Sequence, residues 1–156
     1  MSVAIEMELS VSRRRIRPLC RETLAVECHG GKGYAGAWLM REEKYSPKII
    51  AMAVARTEGG IIGWCWVTDR GLLGTWVVPQ MRRQGIGRRL ADMVLTAYPA
   101  AWQAARERSG IHYVGGSGNP KAVQAAAAKA DGVAFYRALG AEPTSEKGIF
   151  SLSPAS

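Results

Sequence analysis

The chain has 156 residues, 47% of them hydrophobic, with 21 Lys or Arg against 13 Asp or Glu and a formal net charge of +8. That length suits one domain over residues 1–156 with a sizeable core, and no apolar run is long enough to span a membrane. Cys20, Cys28 and Cys65 are odd in number and lack metal-ligand spacing, and the start Met-Ser-Val-Ala-Ile-Glu lacks the pattern of a signal peptide, so a reduced, cytoplasmic protein without a metal site is expected.

Val3, Ile5, Met7, Leu9 and Val11 alternate with other residues, which predicts a half-buried first strand over 3–11. Ile16, Leu19, Cys20, Leu24 and Val26 follow at loose helical spacing. The glycine-rich run from His29 to Gly36 has no strand before it and reads as a flexible loop over an acceptor site, with Trp38 to Met40 as a short helical turn. Ile49–Arg56 and Ile61–Thr68 read as a hairpin around Gly59-Gly60, and Asp69-Arg70-Gly71 turns the chain into a third strand ending at Val78. A helix starts at Gly85 with Ile86, Leu90, Met93, Val94 and Ala97 on one face, and Pro99 is expected to end it, with Trp102–Arg108 as a further helical piece. Ile111–Gly115 is a strand candidate, alanine-rich 122–139 reads as a helix with a break at Gly132, and Ile149–Leu152 closes the chain as a short strand. The order β-α-β-β-β-α-β-α-β is a mixed α/β architecture.

The richest chemistry lies between Val77 and Leu90. An apolar strand stops at Pro79, Arg82-x-x-Gly85-x-Gly87 follows, and a helix begins directly afterwards. Glycines let the backbone approach a phosphate, and the unpaired N–H groups of a first helical turn point at its oxygens. A phosphate loop of the Gly-Lys-Ser/Thr type is absent, and a dinucleotide fingerprint fails because no third glycine follows Gly87 at the required spacing. Arginines at a helix N-terminus oppose its dipole unless an anion sits there.

This string resembles motif A of the GNAT acetyltransferase superfamily. The segment Phe135-Tyr136-Arg137-Ala138-Leu139-Gly140 resembles the family's motif B, with Ala141 in place of the usual final aromatic. The resemblance runs from about Lys48 to Leu152. It implies a mostly antiparallel GNAT-like sheet flanked by helices, and acetyl-CoA as acyl donor. It implies that amides of Arg83, Gln84, Gly85, Ile86, Gly87 and Arg88, behind Arg82, cradle the diphosphate. It also implies that β-strand backbone at Thr75, Trp76, Val77 and Val78 splays at a bulge and meets the pantetheine arm and acetyl carbonyl. Tyr136 is then the general acid for the departing thiolate.

Two departures from the family pattern stand out. The strand before the loop, Leu72 to Val78, carries no carboxylate, so the usual general base is missing. The family's asparagine precedes the tyrosine by seven positions, whereas Asn119 precedes Tyr136 by 17, which implies an insertion. His112 is the one nearby group that titrates near neutral pH and stands as candidate base. Attack by an amine that is already neutral needs none.

The resemblance implies that the acceptor is a primary amine on a small molecule, peptide or protein. Arg13, Arg14, Arg15, Arg17 and Arg21 form a basic cluster that reads either as a solvated helix face or as a surface for nucleic acid. An acceptor amine linked to nucleic acid, such as aminoacyl-tRNA or a modified base, therefore stays open, as do a non-catalytic CoA-binding module and a homodimer. Trp64 and Trp66 share one strand face, with Cys65 on the other. Core packing and a wall for an aromatic acceptor are both compatible with that pattern.

Overall fold

The computed structural model describes residues 4–27, 48–109, 123–127 and 130–153. Its strands are β1 (Glu6–Ser10), β2 (Ile49–Thr57), β3 (Gly60–Thr68), β4 (Leu72–Val77), β5 (Val123–Ala126), β6 (Glu142–Pro143) and β7 (Ile149–Leu152). Its helices are α1 (Arg13–Glu27), α2 (Ile86–Ser109) and α3 (Ala130–Ala138). The strands form one sheet in the order β1-β2-β3-β4-β5-β7-β6. Every pairing is antiparallel except β4 with β5.

The sheet is covered on both faces, which explains why β2 and β3 are apolar at nearly every position. One core holds Ala53, Ala55, Cys65, Val67 and Leu73 of the sheet against Leu90, Val94 and Tyr98 of α2. The other holds Met52, Val54, Trp64 and Trp66 against Ile16, Leu19 and Cys20 of α1. Successive residues of a strand point to opposite faces, so Cys65 lies in the first core and its tryptophan neighbours in the second. In α1 the buried positions Ile16, Leu19, Cys20 and Thr23 fall on one stripe, and the Thr23 hydroxyl donates to the Cys20 carbonyl at 2.6 Å.

Two expectations from the sequence are overturned. Pro99 does not end α2, which runs through it to Ser109. A proline removes one helical hydrogen bond, but Ala101, Trp102 and Ala105 continue the buried stripe begun at Ile86, and that burial holds the helix together. Residues 122–139 do not form one helix: Val123–Ala126 is β5, and α3 begins only at Ala130 and passes through Gly132. Alanine favours helix by only tenths of a kcal/mol per residue. Against that, β5 has four register partners in β7 and two in β4, and its Val123 and Ala125 are buried while Gln124 and Ala126 face out. The two-residue β6, which pairs Glu142 with Ser151, had no signal in the sequence. The readings at His29–Met40 and Ile111–Gly115 lie outside the described residues.

Gly74 faces Trp66 across the β3–β4 ladder, and a Cβ placed on Gly74 would overlap the indole ring. The alanine variant must displace a ring that is only 6% exposed. Gly74→Ala is therefore expected to cost about 1–3 kcal/mol in chemical denaturation, as overpacking typically does. The cost should shrink when Trp66 is replaced by leucine; equal costs in both backgrounds would rule this explanation out.

A charge network ties α1 to the sheet. Arg15 Nε donates to Glu8 at 2.6 Å, and Arg56 pairs with Glu22 and reaches Glu8 at 4.0 Å. The Arg15 hydrogen bond holds the Glu8 carboxyl below its usual value, and the Arg56 hydrogen bond does the same for Glu22. A carboxyl lowered by folding stabilises the fold fully above its unfolded pKa, and that contribution is lost as pH falls through the lower folded value. In low salt the melting temperature should thus decline from about pH 5 downward, and less steeply in Glu8→Gln and Glu22→Gln. The groups are partly exposed, so 1 M salt should narrow the difference. Identical slopes in wild type and both variants would remove the network from the account.

Candidate active site

β4 outruns its parallel neighbour. Its pairing with β5 covers only Leu72 with Gln124 and Leu73 with Ala125, and β5 ends at Ala126. Among the described residues, Thr75, Trp76 and Val77 thus have β3 on one side and no strand on the other. The β3–β4 register runs without a shift through these residues, so the gap comes from the early end of β5 and not from the bulge expected in β4. The Val78 N–H donates to the Ile62 carbonyl at 2.8 Å on the β3 side. By alternation, the backbone groups of Thr75 and Val77 point the other way, into the gap.

That gap opens into a cleft of about 740 Å³, the size of a cofactor or small-ligand site. One wall is the end of β4, at Thr75, Trp76 and Val77. A second is the turn from Met81 to Arg88. The third comes from the end of β5 and from α3, with Asp131, Phe135 and Tyr136. Of the residues singled out in the sequence, Thr75, Trp76, Val77, Arg82, Arg83, Gly85, Ile86, Gly87, Arg88 and Tyr136 meet on this cleft. Gln84 and Val78 are not on its wall, and the Val78 amide is spent on Ile62. His112 and Asn119 lie outside the described residues. Among the described residues, the strand beside β4 is Val123–Ala126.

The turn is shaped as an anion cradle. Gly85 has φ +79° and Arg83 has φ +66°, a left-handed conformation uncommon for a residue with a side chain. Alternation of right- and left-handed residues turns successive N–H groups to one side. The first helical bond of α2 runs from the Arg89 N–H to the Gly85 carbonyl at 3.1 Å. The amides before Arg89 therefore lack intrahelical partners. No acidic residue lies in the first turn of α2. Arg82 braces this turn: its Nε donates to the Val77 carbonyl at 2.7 Å, and its guanidinium lies 5.6 Å from the Trp76 ring centre.

Tyr136 sits deep in the cleft at 6% exposure, edge-on to Phe135 at 5.2 Å and stacked with Phe150 at 6.5 Å. Burial pushes its phenol well above the ordinary tyrosine range, so the proton stays on the oxygen. Gly140, at φ +88°, closes α3, and the Ala141 N–H donates to the Tyr136 carbonyl at 3.0 Å. Asp131 carries no signal when 122–139 reads as one helix; only a helix start at Ala130 makes it a first-turn acid.

The tryptophans divide. Trp64 is fully buried and packs on Trp76 at 4.9 Å between ring centres, so it belongs to the core, while half-buried Trp76 also reaches the cleft. Part of the basic N-terminal cluster is tied down as well. Arg13 donates to the Ile49 carbonyl at 2.9 Å and Arg15 holds Glu8, while Arg14 and Arg21 are exposed.

The sheet opens beside a basic glycine turn, with a buried phenol on the facing helix. The chain belongs to the GNAT acetyltransferases: residues 48–140 match the acetyltransferase (GNAT) domain. No curated protein matches it by sequence. Its fold is similar to the ribosomal-protein-S18-alanine N-acetyltransferase of Escherichia coli, at 15% identity over 97% of this chain and 96% of that one, with a TM-score of 0.54. It is also similar to a GNAT family acetyltransferase of Brucella melitensis solved in complex with acetyl-CoA, at 15% identity over 97% and 90%, with a TM-score of 0.51. A third similar structure is an N-acetyltransferase of Staphylococcus aureus Mu50, at 8% identity over 96% and 99% and a TM-score of 0.51.

Proposed function

We propose that the protein is an acetyl-CoA-dependent N-acetyltransferase that passes the acetyl group to a primary amine by direct attack within a ternary complex. The observation that carries this reading is convergence on one cleft: the amides of the Arg83–Arg88 turn, the Thr75 backbone and Val77 N–H that face the gap beside β4, and the buried phenol of Tyr136.

Acetyl-CoA supplies an activated acyl group. Its diphosphate suits the turn, whose exposed Arg83 and Arg88 add positive charge to the amide fan. The Val77 carbonyl is occupied by Arg82, which leaves the Val77 N–H and the Thr75 backbone groups to hold the donor and polarise its carbonyl. Alignment of amine and carbonyl in one cleft lowers the entropic part of the barrier. The C–N bond forms and the C–S bond breaks. The sulfur leaves with its electron pair and takes the Tyr136 proton, and the proton shed by nitrogen returns to the phenolate through solvent. For that nitrogen proton we keep two routes, His112 as base or an amine that arrives neutral. We place the reaction in the cytoplasm, a reading supported by the free thiols of Cys20 and Cys65.

Calorimetry with CoA and acetyl-CoA, followed by thiol release with small amines, peptide N-termini and lysine side chains, tests the proposal. Association and thiol release with at least one amine class are expected. Absence of CoA association would overturn the reading, and association without transfer to any amine would leave a CoA-binding module in its place.

A further inference from the structure

Acetyl transfer as derived above makes no use of Cys65, yet its buried thiol sits one hydroxyl away from Tyr136. Cys65 and Thr75 face each other across β3 and β4 as a non-hydrogen-bonded pair, the kind that brings side chains closest. Thr75 Oγ1 donates to Cys65 Sγ at 3.2 Å, and the same hydroxyl lies on the cleft wall with the Tyr136 phenol, whose pKa it lowers against the larger raising effect of burial. Cys65 is wholly buried, Tyr136 nearly so, and Thr75 and Tyr136 both line the cleft.

We propose that Thr75, backed by Cys65, is a positioning residue that stabilises the phenolate of Tyr136 at the moment its proton passes to the departing sulfur. The inference rests on the proposed role of Tyr136 as proton donor. Giving up that proton leaves a negative oxygen in a buried site, which is costly unless a donor faces it. Thr75 has one proton and two lone pairs. In the free protein that proton points at Cys65 Sγ, and the lone pairs can accept from Tyr136. As negative charge builds on the phenol oxygen, the Thr75 hydroxyl turns toward it and donates. Cys65 can then fill the vacated place, because burial keeps its thiol protonated, with its pKa pushed up to about 12. The S–H donates to Thr75 Oγ1, so the charge faces a chain of two donors. A valine at 75 would keep the shape of the strand and lose the hydroxyl; an alanine at 65 would keep the hydroxyl and lose the second donor.

The test compares thiol release from acetyl-CoA by wild type, Tyr136→Phe, Thr75→Val, Thr75→Ser and Cys65→Ala, with acetyl-CoA affinity measured in parallel. Thr75→Val is expected to lower kcat about 10- to 100-fold at nearly unchanged KM for acetyl-CoA, the effect of losing one hydrogen bond to a charged group. Thr75→Ser should restore kcat to within about threefold, and Cys65→Ala should fall between wild type and Thr75→Val. Should Thr75→Val fail to fold, Thr75→Ala replaces it, with calorimetric CoA binding as the check on the fold. If Tyr136→Phe is slow while Thr75→Val keeps the wild-type kcat, or if Thr75→Ser is as slow as Thr75→Val, this inference is overturned and the assigned function stands. A wild type that releases no thiol with any amine overturns the function, and this inference with it.

Discussion

Tyr136→Phe is expected to lower kcat by about 100- to 1,000-fold while acetyl-CoA affinity changes little. The ring should stay where it is: Phe135 and Phe150 hold it by edge and face contacts that do not involve the hydroxyl. In the proposed mechanism, what is lost is the proton for the leaving sulfur. A positioned general acid contributes typically 10²–10⁴-fold, so the loss corresponds to roughly 3–4 kcal/mol of transition-state stabilisation. The pH dependence supplies a second readout. In that mechanism Tyr136 acts in its protonated form, and burial raises its pKa above the ordinary tyrosine value. Wild-type kcat should therefore show no decline from tyrosine ionisation up to about pH 10. A phenylalanine variant with undiminished kcat would remove Tyr136 from the chemistry, and a descending limb near pH 8 would point to a different acid.

The parts of this fold that read directly from sequence are those where local preference and tertiary demand agree. β2, β3 and β4 are runs of apolar residues separated by Gly59-Gly60 and Asp69-Arg70-Gly71, and they form the expected meander. The Arg82–Gly87 string and the start of α2 were legible because the glycines fit a tight turn and arginines oppose the dipole at a helix start. β5 was illegible for the opposite reason. Its sequence, Val-Gln-Ala-Ala, runs into more alanines that favour helix, and only its neighbours β4 and β7 make it a strand. That misreading hid the early end of β5, and with it the origin of the gap beside Thr75 and Val77. Pro99 misled in the same way, since a local rule lost to the burial of Trp102 and Ala105. The Cys65–Thr75–Tyr136 contact joins three separate segments, and no single stretch of sequence carries it.

The second large effect concerns Gly85. Its φ of +79° lies in the region that a side chain disfavours, and no atom stands within 4 Å of where its Cβ would be. Space is free there, so any penalty for Gly85→Ala is conformational. A left-handed residue other than glycine costs about 1–2 kcal/mol, equivalent to roughly a 5- to 30-fold loss of acetyl-CoA affinity if the turn relaxes to avoid it. Gly85→Asn should lose less, because asparagine visits that region more readily. Gly87 differs in kind: its Cβ would meet the Phe135 ring at 3.1 Å and press the start of α2 away from α3, which distorts the cleft wall the two share. S-acetylpantetheine, which has no diphosphate, separates the two. Turnover of this truncated donor should be nearly unchanged in Gly85→Ala, whose fault lies only in the amide fan, and should fall in Gly87→Val, whose fault lies in the shared wall. If Gly85→Ala bound acetyl-CoA as tightly as wild type, or lost both donors equally, the turn would not be the diphosphate cradle, and the donor would have to be held by another part of the cleft.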